Sequence, residues 1–206
     1  IARWQQSMEA DIMRGDQEVR RLARVIAGNA TNAAARVAAV FDYITANFRY
    51  TQMYETDIAA VKPHAIPDIL VNRCGDCKDL ALLMCELLRA LDVQAWPALV
   101  RTADRGRLRR NVPAPDVFNH VLVYIPALDR FCDPTFRHGA ADLLPPECQD
   151  VDAFVLQDGA AIFRRTPLAP PDDNASSAAF SGVVMADGGF TGSVITILRR
   201  LDAAQA

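Results

Sequence analysis

Residues 73–91 read RCGDCKDLALLMCELLRAL, and this stretch decides the architecture. Gly75 suits a tight turn, Asp76 is a natural N-cap, and Cys77 then stands as the first residue of a helix. Leu80, Leu83, Met84, Leu87, Leu88 and Leu91 cover more than one face of that helix. It is therefore expected to lie buried on most sides, as the spine of its domain. A thiol at the first helical position sits near unpaired backbone N–H groups and the positive end of the helix dipole, a setting that favours thiolate. Arg73 and Lys78 push the same way; Asp76 and Asp79 push back.

Downstream the period changes from helix to strand. Residues 93–102, 117–125 and 130–132 are short extended runs, with Pro97 marking an edge or bulge in the first. The polar, arginine-rich stretch 103–116 between them reads as a surface loop. His120 lies in the second run and Asp133 closes the third. A hairpin with a four-residue loop at 125–128 would pair Tyr124 with Asp129, Leu122 with Phe131, and His120 with Asp133. Directly opposed side chains have Cβ atoms about 4.5 to 5.5 Å apart, close enough for a carboxylate to hold an imidazole. Docking that face on the start of the Cys77 helix would complete a nucleophile, a base and an orienting group.

The upstream third is helical in pattern. Trp4, Met8 and Ile12 recur every four residues; Asp16 can cap a run carrying Val19, Leu22, Val25 and Ile26, with Gly28 as its stop. Thr31 can cap a third helix whose face is Val37, Val40, Phe41, Ile44 and Phe48. An extended segment near 48–53 comes next, and Pro63 and Pro67 break regular structure beyond it. At the other end, RRTPLAPPDDNASSAAFSG (164–182) reads as a linker, and apolar runs flanking Asp187, Gly188 and Gly189 signal a hairpin. The expected organisation is a catalytic domain over 1–163, with lead-in helices in 1–30, a linker over 164–182 and a β hairpin within 183–206. That hairpin is either the first piece of a further β domain or an edge ribbon on the main sheet.

With 206 residues, 51% of them hydrophobic, the chain can bury a sizeable core as one domain. A formal net charge of −3 gives no general pull towards nucleic acid or anionic membrane, and neither is expected as a partner. No uninterrupted apolar stretch reaches about 18 residues, so no bilayer-spanning segment is expected. The N-terminus shows no initiator Met and no basic then apolar signal pattern, so any export signal is expected to lie outside this sequence.

The three blocks RCGDCKDLALLMCELLRALDVQAWPALV, FNHVLVYIP and RFCDPTF together resemble the nucleophile, histidine and aspartate blocks of the transglutaminase-like superfamily. The nearest likeness is to its bacterial branch, in which such a domain lies between β domains. The resemblance implies an α+β, papain-like core with N-terminal helices and a central Cys-bearing helix packed on an antiparallel sheet. It implies Cys77 as nucleophile, His120 as general base and acid, Asp133 as the orienting carboxylate, and attack on peptide or protein carboxamides through a thioester. Gln52, upstream of the nucleophile as family oxyanion donors are, is the candidate second donor to the oxyanion. A peptidase is favoured over a cross-linking transglutaminase, because nothing in the sequence suggests a calcium site or an acyl-acceptor pocket. The alternative is a catalytically silent binding or assembly module of a cell-envelope protein. Periplasmic location and flanking β domains follow from the resemblance alone.

Five cysteines are too few and too unevenly placed for a disulfide scaffold. Cys85 and Cys132 read as core residues, and Cys148, beside Pro145 and Pro146, as a loop thiol. Cys74 stands three residues before Cys77, a spacing that allows a disulfide reversibly blocking the nucleophile. One CxxC pair with no second pair is weak support for zinc, and neither metal nor cofactor is expected. Arg101, Arg105, Arg107, Arg109 and Arg110 read as a solvated loop, or as a gate to peptide if they cover the cleft. His64 and His138 are expected in loops.

Overall fold

The structure, a computed structural model, describes residues 17–51, 62–108, 117–157, 160–198 and 200. The chain divides between Leu168 and Ala169 into two compact units. The first runs α1 (Gln17–Ala27), α2 (Ala33–Asn47), β1 (Arg49–Tyr50), α3 (Ile66–Asn72), β2 (Cys74–Gly75) and α4 (Cys77–Arg89). It continues through β3 (Trp96–Val100), β4 (His120–Ile125), β5 (Arg130–Cys132), β6 (Asp152–Gln157) and β7 (Ala160–Arg165). The expected helix around Trp4, Met8 and Ile12 lies outside the described residues.

Helix α1 buries Val19 and Ala23 and half-buries Leu22 and Ile26, while Val25 is 73% exposed. A residue six positions after Val19 has turned off the inward stripe, so Val25 does not belong to the face assigned to it from sequence. Gly28, at φ 50°, closes the helix in the left-handed region, its N–H donating to the Arg24 carbonyl. The cap of α2 is Asn32 and not Thr31: its side-chain oxygen accepts the Ala35 N–H at 2.9 Å.

Helix α4 carries a capping box. The Asp76 carboxylate accepts the N–H groups of Lys78 and Asp79, and the Asp79 carboxylate accepts that of Asp76. Every residue from Lys78 to Leu88 is buried. Replacing Asp76 with Ala is expected to cost about 1 to 2 kcal/mol, the upper part of the range for a lost N-cap, because the orphaned N–H groups cannot turn to water. Urea denaturation of the variant measures it.

The sheet has the order β5-β4-β3-β6-β7 and is antiparallel throughout. Helix α4 lies against β3 and β4, with α1 and α2 packed on its other side. Leu83, Leu87, Val121, Val123 and Ile125 belong to the core between helices and sheet. A second cluster, including Leu122, Tyr124, Phe131, Leu144 and Cys148, covers the opposite face. The α+β class and the central Cys-bearing helix on an antiparallel sheet are as the sequence led us to expect.

Two details of that sheet differ from expectation. The β4–β5 pairs are Val123 with Cys132, Tyr124 with Phe131 and Ile125 with Arg130, two residues off the anticipated register. Pro126, with its fixed φ, opens a 3-10 turn over Pro126–Leu128, and Asp129 takes the left-handed position at φ 43°, so the loop starts one residue later. Pro97 is in the central strand, not at an edge. Pairing with β6 begins only at Ala98, so the missing N–H of Pro97 costs no ladder bond on that side. Strands β6 and β7 were not anticipated from sequence, although Asp158 and Gly159 between them are a hairpin dipeptide.

The second unit contains a 3-10 turn at Pro171–Asn174 and one hairpin, β8 (Ser176–Val184) with β9 (Phe190–Leu198). Residues 176–182, expected as linker, are strand: they pair with Gly192 to Leu198, where Val194, Ile195, Thr196 and Ile197 are β-prone. No helix among the described residues is long and apolar enough to cross a membrane.

Candidate active site

The turn that delivers Cys77 is pinned from both sides. Helix α3 ends at Arg73 in the left-handed region, φ 52°, with its N–H on the Ile69 carbonyl. Cys74 and Gly75 then pair in parallel with Arg49 and Tyr50. Arg49 N–H donates to the Arg73 carbonyl at 2.9 Å, and Thr51 N–H to the Gly75 carbonyl at 3.0 Å. Gly75 has no room for a side chain, since a Cβ there would lie 2.7 Å from the Asp79 Cβ. Asp79, fully buried, also accepts the His64 N–H at 2.8 Å and faces His64 Nδ1 at 2.9 Å. His64 lies in a loop, as expected, and is bonded there to the helix that carries Cys77.

His120 is the first residue of β4, at the rim of the sheet. Asn119 just before it fixes that end: its N–H donates to the Val100 carbonyl, its Oδ1 accepts the Thr102 N–H, and its Nδ2 donates to Thr102 Oγ1 at 2.7 Å. His120 Nε2 lies 2.9 Å from Asp133 Oδ2, and the Cys77 side chain is near enough to act on the charge of the ring. With Nε2 taken by the carboxylate, Nδ1 is the nitrogen left for the thiol. The register shift of two residues preserves strand alternation, so His120 and Asp133 still share a face, as diagonal neighbours rather than a direct pair. Asp133 is 1% exposed, and its Oδ1 accepts both the N–H of Thr135 at 2.9 Å and its Oγ1–H at 2.6 Å.

Burial would push the His120 ring towards its neutral form. The Asp133 carboxylate, by charge and hydrogen bond, and the Cys77 side chain reverse this and hold the imidazolium well above its ordinary range. Burial likewise pushes Asp133 up, but His120 and Thr135 outweigh it and its carboxyl lies below the usual range. The two effects are one interaction seen from both partners.

The cations flanking Cys77 in sequence face elsewhere. Lys78 Nζ bonds the Asp76 carboxylate, and Arg73 donates to Tyr43 Oη at 2.7 Å with its guanidinium over the Phe48 ring. Cys74 and Cys77 are half-buried and not joined by a disulfide. Gln52 and Arg109 to Arg110 lie outside the described residues. Arg101 braces the base of the arginine loop by donating to the carbonyls of Arg105 and Val117. His138 is exposed.

Cys148 is where sequence reading fell short. It is 1% exposed, held in the 3-10 turn Pro146–Cys148, and its sulfur lies within 4.8 Å of donor atoms of both His120 and Asp133. Burial, reinforced by the Asp133 charge, pushes its thiol far up, so it stays protonated. The buried Leu143 and Leu144 before the prolines were the available signal that this segment packs inward.

A core helix that begins with a thiol, laid on an antiparallel sheet that presents an imidazole backed by a buried carboxylate, defines the papain-like class of α+β architecture. The family model of the transglutaminase-like superfamily matches residues 20–127, more than half of the chain, and the chain belongs to that superfamily. Cys77 and His120 fall inside the match and Asp133 just beyond it. Among solved structures, a protein of Parabacteroides distasonis ATCC 8503 provisionally named a protease is similar at TM-score 0.58 and 15% identity, over 91% of this chain and 38% of its own. A protein of Cytophaga hutchinsonii, provisionally named a cysteine protease, reaches TM-score 0.41 and 22% identity over 61% of this chain and 41% of its own. At such identities the first likeness shows the fold alone, and the chain spans about two fifths of each neighbour's length. No curated protein matches this chain.

Proposed function

We propose that this domain is a papain-like cysteine hydrolase or amide transferase acting on peptide or protein carboxamides. Cys77 is the nucleophile, His120 the base and acid, and Asp133 the group that orients the ring. The observation that carries this reading is one imidazole hydrogen-bonded to a buried carboxylate and held charged by that carboxylate together with a thiol at a helix start.

In the first step the Cys77 sulfur, its proton passed to His120, bonds the carboxamide carbon while the carbonyl electrons move onto oxygen. Asp76 caps the N–H groups of Lys78 and Asp79, and the backbone N–H of Cys77 is offered to the oxyanion, with Gln52 as the proposed second donor. The C–N bond then breaks and the amine leaves with the proton from His120. Water attacks the thioester, gives a proton to His120, and the sulfur departs. Hydrolysis is favoured over cross-linking because water needs no acceptor pocket.

Alkylation by iodoacetamide under reducing conditions tests the pair without a known substrate. At pH 6.5, His120→Ala is expected to slow alkylation of Cys77 at least ~10-fold, read by intact and peptide mass. Equal rates in the two proteins would sink the assignment. Cys74→Ser is expected to label and turn over as wild type; loss of hydrolysis there would move the chemistry to the Cys74 and Cys77 pair.

A further inference from the structure

We propose that His120, Asp133 and Cys148 form an inhibitory site for a zinc-class divalent cation, on the side of the imidazole away from Cys77. The binding stands on the geometry of the three donors; the inhibition rests on the catalytic reading above.

A nitrogen, a carboxylate oxygen and a sulfur all within 4.8 Å of one another are a donor set suited to zinc. With bonds of about 2.0 to 2.3 Å, tetrahedral donors stand roughly 3.2 to 3.7 Å apart. Nε2 and Oδ2, now at 2.9 Å, need part only by a few tenths of an ångström, and the sulfur need close by no more than about 1.5 Å. The supports are already built. Thr135 holds the other carboxylate oxygen with two hydrogen bonds, and Pro145 and Pro146 frame the turn that aims Cys148. On binding, bonds form from the metal to N, O and S, while the Cys148 thiol proton and the Nε2 proton leave to solvent. A dication with one thiolate and one carboxylate makes a neutral unit, which a buried site tolerates better than a free charge. Water supplies the fourth position.

The consequence is a change of tautomer. An imidazole bound to metal through Nε2 is neutral and keeps its hydrogen on Nδ1, the nitrogen that faces Cys77. It then has no lone pair for the thiol proton, and Asp133 no longer holds Nε2–H. Zinc thus turns the site off without touching the nucleophile.

The test uses the whole chain, freed of metal and kept reduced, titrated with Co²⁺ and then competed with Zn²⁺. Expected are one metal per chain and a near-ultraviolet charge-transfer band of a single thiolate, both unchanged in Cys77→Ser and weakened at least ~100-fold in Cys148→Ala. Zn²⁺ should also slow iodoacetamide alkylation of Cys77 in wild type and not in Cys148→Ala. Undiminished binding in Cys148→Ala, or loss of the band in Cys77→Ser, overturns the proposal. Should Cys148→Ala fail to fold, His120→Gln in the Cys77→Ser background must lose the same band, and its persistence would be equally fatal. Failure of the catalytic reading looks different: alkylation of Cys77 indifferent to His120, with the cobalt band intact.

Discussion

Asp133→Asn is expected to fold and to lose about 10³- to 10⁴-fold in kcat for hydrolysis of fluorescently labelled, denatured casein. The isostere fails for a reason visible in its neighbours. Thr135 donates two hydrogen bonds to Oδ1, so the amide must keep its oxygen there and turn its NH2 towards His120. A donor facing Nε2 forces the ring hydrogen onto Nδ1, where the Cys77 proton should go. The pH profile should move as well. Burial alone pushes the His120 ring towards neutrality, and the Asp133 charge is what lifts it. Without that charge the imidazolium is lost earlier, so the alkaline limb of the activity profile shifts to lower pH. Stability carries the matching sign. His120 is raised in the fold, so its contribution is full below the ordinary imidazole value of 6.5 and lost as pH rises through its folded value; Asp133 is lowered, so its contribution is full above 3.8 and lost as pH falls through its own. The variant's deficit in urea should be widest between those two ordinary values. An unchanged rate and limb would remove Asp133 from the chemistry.

How legible the site was depends on which physical signal each part carried. The start of α4 was plain, because a cap residue, a glycine and a dense apolar run all act within a short span of chain. The partnership of His120 with Asp133 was visible for a different reason: side-chain alternation survives a slip of two residues, so an error in the register still placed both on one face. The turn itself was misplaced because Pro126 and Asp129 claim special backbone conformations that outweigh an even count of loop residues. Cys148 was hidden by long-range packing. Prolines before a thiol announce a loop but say nothing of what that loop covers, and only the second core cluster shows it lying behind the site. Asn119 and Thr102 were missed likewise, since their mutual hydrogen bonds join positions seventeen residues apart.

Asp79→Ala should be the most destabilising single change near the site, at about 3 to 5 kcal/mol in urea denaturation. The carboxylate is fully buried and faces the Asp76 N–H, the His64 N–H and His64 Nδ1. Truncation leaves the two backbone donors without an acceptor, at roughly 1 to 3 kcal/mol each. Relief of the repulsion between Asp76 and Asp79 offsets part of this, since that repulsion, after burial, helps raise Asp76. His64, with its side chain 27% exposed, can recover a partner from water. Activity should fall further than the folded fraction does. Asp79 closes the capping box and packs where Gly75 makes its approach, so losing it frees the turn that fixes the Cys77 sulfur against the His120 ring. Asp79→Asn separates the two effects: one amide oxygen still accepts the His64 N–H, while the NH2 meets the Asp76 N–H and breaks the box. Its stability should lie between wild type and Ala, yet its kcat should resemble that of the Ala variant. A normal kcat in Asp79→Asn would mean that the box steadies the helix without aiming the thiol.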